Sequence, residues 1–102
     1  MPERRPAFRK RVLWTGKGVY ANGDQSFACT IRDWTEQGAR IAVRGTPIIP
    51  ARFFLLNLTT RTVHNASVMW SDGRELGLQF LSTCSFENMD AAGLSFLKRH
   101  LS

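Results

Sequence analysis

The sequence has little of what membrane proteins and secreted proteins need. Its 102 residues contain no apolar run near the roughly 20 residues that a membrane-spanning helix requires. No apolar segment follows the charged residues at the N-terminus, so a secretory signal is not predicted either. We therefore expect a cytoplasmic protein. The length suits one globular domain and excludes a second.

Cysteine and histidine are equally scarce. Cys29 and Cys84 lie far apart with no Cys-x-x-Cys, so we expect two buried free thiols rather than a disulfide framework or a zinc site. His64 and His100 have no His, Cys or carboxylate nearby at metal-ligand spacing. Because paired carboxylates and a nucleophile beside a base are also missing, the sequence predicts a protein that is not an enzyme and holds no cofactor.

Positive charge is concentrated at the N-terminus. Residues 1–17 hold six basic residues and one acidic residue, whereas the rest of the chain holds eight basic and seven acidic residues. Guanidinium groups bind phosphates and the acceptor edge of guanine through two parallel hydrogen bonds. Residues 1–10 therefore predict a flexible basic arm that grips a nucleotide, a nucleic acid or a membrane headgroup. A solvated tail that only aids solubility is the alternative.

Six segments carry the alternating or apolar pattern of β-strands. They are residues 11–20, 27–32, 39–43, 53–58, 61–70 and 74–81. Two of the connections, Asn22-Gly23-Asp24 and Ser71-Asp72-Gly73, are hairpin-turn sequences. Since no helical pattern intervenes, we predict an all-β fold, a six-stranded antiparallel β-barrel over residues 11–82. The tryptophans of this region are expected to pack in the core: Trp14, Trp34 and Trp70.

The pattern becomes helical after the last strand. Asn88 can cap a helix and Asp90 suits the positive end of its dipole. A broad apolar stripe follows, formed by Met89, Leu94, Phe96, Leu97 and Leu101. We therefore predict a C-terminal α-helix over residues 85–102, packed on the barrel, although Gly93 lies inside it.

Two short motifs carry the functional information. Arg5 and Arg9 form an R-x-x-x-R pair in the arm, and residues 33–38 form a D-x-T-x-x-G motif at the turn between two predicted strands. Residues 66–70, followed by Gly73, Glu75, Gly77 and Phe80, extend the pattern. Over residues 3–82 this sequence resembles the PilZ domain family. The resemblance implies a PilZ-like β-barrel that binds the bacterial second messenger cyclic di-GMP.

The resemblance also implies which residues bind the ligand. They are Arg4, Arg5, Arg9, Asp33, Thr35 and Gly38. The arginines would bind phosphodiester groups or guanine, and Asp33 would accept hydrogen bonds from guanine N1–H and N2–H. Thr35 stands where the family has Ser and would offer its hydroxyl, while Gly38 would adopt positive φ and let the ligand approach the backbone. Arg4, directly before the arginine pair, favours a stacked dimer of the ligand.

Such a receptor would clamp cyclic di-GMP between the arm and the D-x-T-x-x-G hairpin, and the ordered arm would signal to an unidentified effector protein. The family regulates flagellar motility, exopolysaccharide synthesis and adhesion. Two alternatives stay open. One is a degenerate PilZ module that binds a protein partner without nucleotide. The other is a small basic barrel that binds nucleic acid, whose affinity would fall steeply with salt.

Overall fold

The computed structural model describes residues 9–101, which form six β-strands and three short 3-10 helices. The strands are β1 (Lys10–Tyr20), β2 (Gln25–Trp34), β3 (Gly38–Val43), β4 (Arg52–Asn57), β5 (Thr62–Ser71) and β6 (Glu75–Ser85). The 3-10 helices are Ala21–Gly23, Phe86–Asn88 and Ser95–His100. All six predicted strands are confirmed, each close to its predicted position.

The strands close into an antiparallel barrel in the order β1-β2-β3-β6-β5-β4. Four of the pairings join strands that are neighbours in sequence, and two join distant strands. In these two, β3 lies beside β6 with Gly38 opposite Gln79, and β1 lies beside β4 with Gly16 opposite Asn57. Closure pairs each strand on both sides, which removes the exposed edges of an open sheet. The predicted barrel is therefore confirmed.

The alternation that predicted the strands decides which side chains form the core. In β2, Phe27, Cys29 and Ile31 lie on the buried face, and the residues between them are more exposed. The buried cluster inside the barrel contains Phe27, Cys29, Ile31, Ile41, Phe53, Leu55, Ala66, Leu76 and Leu78. Burying one large aliphatic or aromatic side chain stabilises a protein by about 1.5–3 kcal/mol, so this cluster is a main source of the barrel's stability.

The two cysteines differ in environment. Cys29 is buried in the barrel core, and burial raises the pKa of its thiol to about 12. Cys84 is only half-buried, which corrects the expectation of two buried thiols. The reason is its position near the end of β6. The pairing of β6 with β3 ends at Gln79, so β3 does not cover the strand at Cys84.

The chain after β6 covers one end of the barrel. Phe86, Met89 and Leu97 from this segment pack with Val19 and Leu56 from the strands. Phe86 is 5% exposed, and the other four side chains are completely buried. Arg99 and His100 then donate hydrogen bonds to the carbonyl oxygen of Gly23, in the turn between β1 and β2. The C-terminal segment is thus fixed to the barrel by apolar packing and by polar contacts at its far end.

The predicted C-terminal α-helix is wrong. The segment consists of the 3-10 helices Phe86–Asn88 and Ser95–His100, separated by turns. Gly93 has φ +77°, its N–H donates to the carbonyl of Asp90, and the N–H of Leu94 donates to the carbonyl of Met89. This pair of bonds is the Schellman motif, which ends a helix at a glycine. Gly93 therefore interrupts the apolar stripe that predicted one continuous helix.

No helix within residues 9–101 is long and apolar enough to cross a membrane.

Candidate ligand-binding site

Thr35 closes the turn between β2 and β3. Its hydroxyl oxygen accepts hydrogen bonds from the backbone N–H groups of Gln37 and Gly38, both at 3.0 Å. The backbone N–H of Thr35 donates to the carbonyl oxygen of Gly38 at 2.9 Å, and its hydroxyl lies 3.3 Å from the same oxygen. The Thr35 side chain therefore holds the hairpin in shape, a role that a serine hydroxyl could fill equally well.

Gly38 is required by a neighbouring strand. A Cβ placed on Gly38 would lie 2.0 Å from the carbonyl oxygen of Leu78 in β6, far inside van der Waals contact. Gly38 does not have positive φ, so the predicted left-handed conformation is wrong. The absence of a side chain at this position lets β3 and β6 approach each other, and this brings the D-x-T-x-x-G hairpin against β6.

Asp33 lies next to two arginines. It is the penultimate residue of β2, at an irregularity in the pairing with β3, and it is only 4% exposed. The Nε atom of Arg40 donates to its Oδ2 atom at 2.6 Å, and an Nη atom of Arg9 lies 4.0 Å from the same oxygen. The pairing with Arg40 offsets the cost of placing a carboxylate out of water.

Arg40 also binds a second carboxylate. Its Nη1 atom donates to Glu75 at 2.7 Å, so the guanidinium joins β2, β3 and β6. The hydrogen bonds to Asp33 and Glu75 raise the pKa of Arg40 above its ordinary value, so it is charged at any physiological pH.

A cavity of about 400 Å³ lies over this hairpin. It is lined by Arg9, Asp33, Trp34, Thr35, Gln37, Gly38, Ala39, Arg40, Met69, Trp70, Gly77, Leu78 and Gln79. Four of the predicted ligand-binding residues therefore surround one space. The other two, Arg4 and Arg5, lie outside the described residues.

Nine residues that line this cavity were not predicted as ligand-binding residues, and they include Arg40, Met69 and Trp70. The sequence predicts Trp70 in the core, yet Trp70 is 47% exposed. The pairing of β5 with β6 shifts register between Val68 and Trp70, and such a bulge reverses the alternation of buried and exposed side chains. The glycine opposite Trp70 in β6, Gly77, is the sequence signal that could have revealed a large ring on this surface.

Trp34 lines the cavity and is part of an aromatic cluster. Its ring contacts Trp14, His64 and Phe80, with ring centroids 4.9–5.6 Å apart. His64 in turn stacks on Phe80 and is hydrogen-bonded to the hydroxyls of Thr62 and Thr83. Burial lowers the pKa of His64 to about 4, so it is a neutral part of this aromatic cluster at physiological pH.

The arrangement suits a nucleotide. Guanidinium groups bind phosphates, a carboxylate accepts the donor edge of guanine, and an exposed indole stacks on a base. Within residues 9–101 no three His, Cys, Asp or Glu side chains are grouped to hold a metal ion. The structure is thus a small antiparallel barrel with a cavity whose lining includes two arginines, a carboxylate and an exposed indole.

Comparison with known proteins gives the family. The sequence model of the PilZ domain matches residues 3–102, essentially the whole chain, and the chain belongs to this family of cyclic di-GMP receptor and adaptor domains. The crystal structure of an uncharacterized Legionella protein is similar in fold, with a TM-score of 0.51 and 17% identity over 91% of this chain and 92% of that chain. A search of curated proteins finds no match.

Proposed function

We propose that this protein is a cyclic di-GMP receptor that binds the ligand in the cavity over the β2–β3 hairpin. The observation that supports this most is that Arg9 and the residues of the D-x-T-x-x-G motif, which are distant in sequence, line one cavity with an exposed tryptophan. Family membership points to the same ligand.

Arg9 would bind the phosphodiester groups. Its side chain is 64% exposed and lies 4.0 Å from Asp33, too far for a tight hydrogen bond, so it can turn toward a ligand at little cost. We assign Arg4 and Arg5 to the same task on the strength of the family pattern. With Arg4 present, we expect two stacked ligand molecules per domain.

Guanine would be recognised by Asp33 and Trp70. The Asp33 carboxylate accepts hydrogen bonds from N1–H and N2–H, which adenine does not offer in the same arrangement. The Trp70 indole provides a face on which a purine stacks. Both residues line the cavity, so one ligand can contact both.

Signalling would follow from a change of surface. When the ligand is bound, the arginine arm closes over it against the barrel, and a partner protein binds the new surface. As the receptor of a bacterial messenger, the protein would act in the cytoplasm on motility, exopolysaccharide synthesis or adhesion.

The test is isothermal titration of the protein with cyclic di-GMP, with cyclic di-AMP and GTP run in parallel. We expect selective binding of cyclic di-GMP, with a ratio near two ligands per domain. Arg9→Ala should abolish or greatly weaken binding, whereas Arg44→Ala, which removes the same charge from an exposed position outside the cavity, should not. Equal affinity for all three nucleotides, or the same loss in both variants, would contradict the proposal.

One observation favours a second candidate, an interaction module without nucleotide. Arg40 already binds Oδ2 of Asp33, and the Thr35 hydroxyl is already used by the turn, so two of the motif's polar groups have partners inside the protein. Absence of heat in the same titration, with folded protein, would decide for this candidate.

A further inference from the structure

Arg40 is the centre of a three-residue network at the wall of the cavity. Its Nε atom binds Asp33 at 2.6 Å and its Nη1 atom binds Glu75 at 2.7 Å. Asp33 belongs to β2, Arg40 to β3 and Glu75 to β6, so the network crosses three adjacent strands of the barrel. Arg40 lines the cavity with Asp33, and its side chain is 28% exposed.

The orientation of Asp33 depends on this network. A carboxylate that is almost completely buried requires a charged or hydrogen-bonded partner, and Arg40 provides one at short distance. Rotation of Arg40 away from Asp33 is opposed by Glu75, which holds the other side of the same planar group. Two carboxylates therefore fix the guanidinium, and the guanidinium fixes the Asp33 oxygen that it binds.

We propose that Arg40 is a positioning residue for base selection, which holds the Asp33 carboxylate in the orientation that accepts guanine, and that Glu75 acts by holding Arg40. This inference rests on the proposed function, because it concerns the ligand selectivity of the same site. Arg40 supports guanine recognition through its hydrogen bond to Oδ2 of Asp33, at the wall of the same cavity.

The geometry distinguishes Arg40 from a simple positive charge. Nε and Nη1 are separate nitrogens of one rigid plane, and each binds a different carboxylate. A lysine has one nitrogen and cannot reproduce both contacts in the same directions. If orientation is what matters, Arg40→Lys will keep the charge of the site and still lose selectivity.

The experiment compares cyclic di-GMP with cyclic di-AMP by isothermal titration of wild-type protein and of variants. In Arg40→Gln we expect the affinity for cyclic di-GMP to fall about tenfold, the effect of one good hydrogen bond to a charged group. The affinity for cyclic di-AMP should change by less than about twofold, because adenine does not use Asp33 in this way. The ratio of the two affinities, which damage to the fold alone would leave unchanged, is the deciding quantity.

The matched control is Arg32→Gln. Arg32 precedes Asp33 in β2 but is exposed and is not part of the cavity lining. Its loss removes the same charge, so it should change the affinities for both dianionic ligands equally and leave their ratio unchanged. Thermal unfolding of each variant shows that the folded state persists at the temperature of titration.

A double-mutant cycle tests the role of Glu75. Glu75→Ala should reduce the selectivity ratio less than Arg40→Gln does, because Arg40 keeps its bond to Asp33. In the Arg40→Gln background, Glu75→Ala should change the ratio no further, since Glu75 acts through Arg40. Additive effects of the two substitutions would overturn the role given to Glu75.

The outcomes separate the two hypotheses. If wild-type protein selects cyclic di-GMP and Arg40→Gln keeps the same ratio, Arg40 is not a positioning residue and the inference fails alone. If wild-type protein binds neither dinucleotide, the proposed function fails and the inference fails with it. Should Arg40→Gln not fold, Arg40→Lys provides the same test, and an unchanged ratio in that variant overturns the inference.

Discussion

The indole of Trp70 occupies the space that a side chain at Gly77 would need, since a Cβ on Gly77 would lie 2.1 Å from Nε1 of Trp70. Gly77 faces Trp70 across the β5–β6 pairing, so the absence of a side chain on β6 keeps the ring against the sheet, at the wall of the cavity. The position of the aromatic face at the candidate site is thus determined by a residue of the neighbouring strand.

Trp70→Ala should weaken cyclic di-GMP binding by about 1–3 kcal/mol, the contribution of one base stacked on an aromatic side chain. Stability should change little, because the ring is half exposed. Titration calorimetry measures the loss. Phe96→Ala is the matched control, because Phe96 is also a partly exposed aromatic residue but does not line the cavity. A smaller effect for Trp70→Ala than for Phe96→Ala would contradict stacking at this position.

Gly38→Ala should lower the free energy of unfolding by about 1–3 kcal/mol, the usual cost of overpacking. The new Cβ would collide with a backbone carbonyl, that of Leu78, which cannot move without separating β3 from β6. Denaturant unfolding measures the change. In the control, Gly16→Ala, the new Cβ would meet side chains at 3.0–3.2 Å, so we expect a smaller loss. Equal midpoints for both variants would refute this explanation of Gly38.

Thr35→Ala should cost about 1–2 kcal/mol of stability, because two backbone N–H groups of the turn lose their acceptor. Thr35→Ser keeps the oxygen and should retain most of the stability and of the ligand affinity. Unfolding curves and calorimetry of the two variants check both statements. If Thr35→Ser increased the affinity for cyclic di-GMP tenfold or more, the methyl group of Thr35 would be hindering the ligand. The role of Thr35 in the turn does not explain such an effect.

The stability of the protein should fall as the pH is lowered from about 6.5 toward 4, because His64 is buried in its neutral form. Its pKa is lowered from 6.5 to about 4, so in this interval the unfolded chain binds a proton that the folded protein does not. The slope from this residue is at most about 1.4 kcal/mol per pH unit.

Denaturant unfolding between pH 7 and 5 measures this slope, since most carboxylates remain ionised there. His64→Gln should lower the stability at pH 7 and flatten the pH dependence. An unaltered slope in His64→Gln would show that other groups cause the pH dependence.

Local patterns predict the strands of this protein well, because each strand has one face toward the core. Phe27, Cys29 and Ile31 are an example in which alternation in sequence becomes alternation of burial. The predicted C-terminal α-helix is wrong because the hydrophobic pattern of residues 89–101 is the same for two structures. One continuous helix and a series of short turns both need apolar residues at these positions to cover the end of the barrel. The deciding residue, Gly93, changes the backbone direction without changing the hydrophobic pattern.

The site is predictable only where its residues form a local motif. Asp33, Thr35 and Gly38 are recognised because they lie within six positions of one another. Arg40 and Trp70 have no such pattern, since Arg40 is bound to Glu75, 35 residues away, and the exposure of Trp70 depends on a register shift between β5 and β6. These features follow from pairing across the barrel, which single segments do not encode.

The pairing of β3 with β6 has a consequence for the order of events during synthesis. The hairpin that contains Asp33 and Thr35 can form early, from neighbouring residues, but Gly77, Leu78 and Gln79 reach the cavity only when β6 has emerged from the ribosome and docked. A nascent chain that ends before β6 has its motif residues and no cavity. The cavity is therefore completed in one late step of synthesis, when β6 pairs with β3.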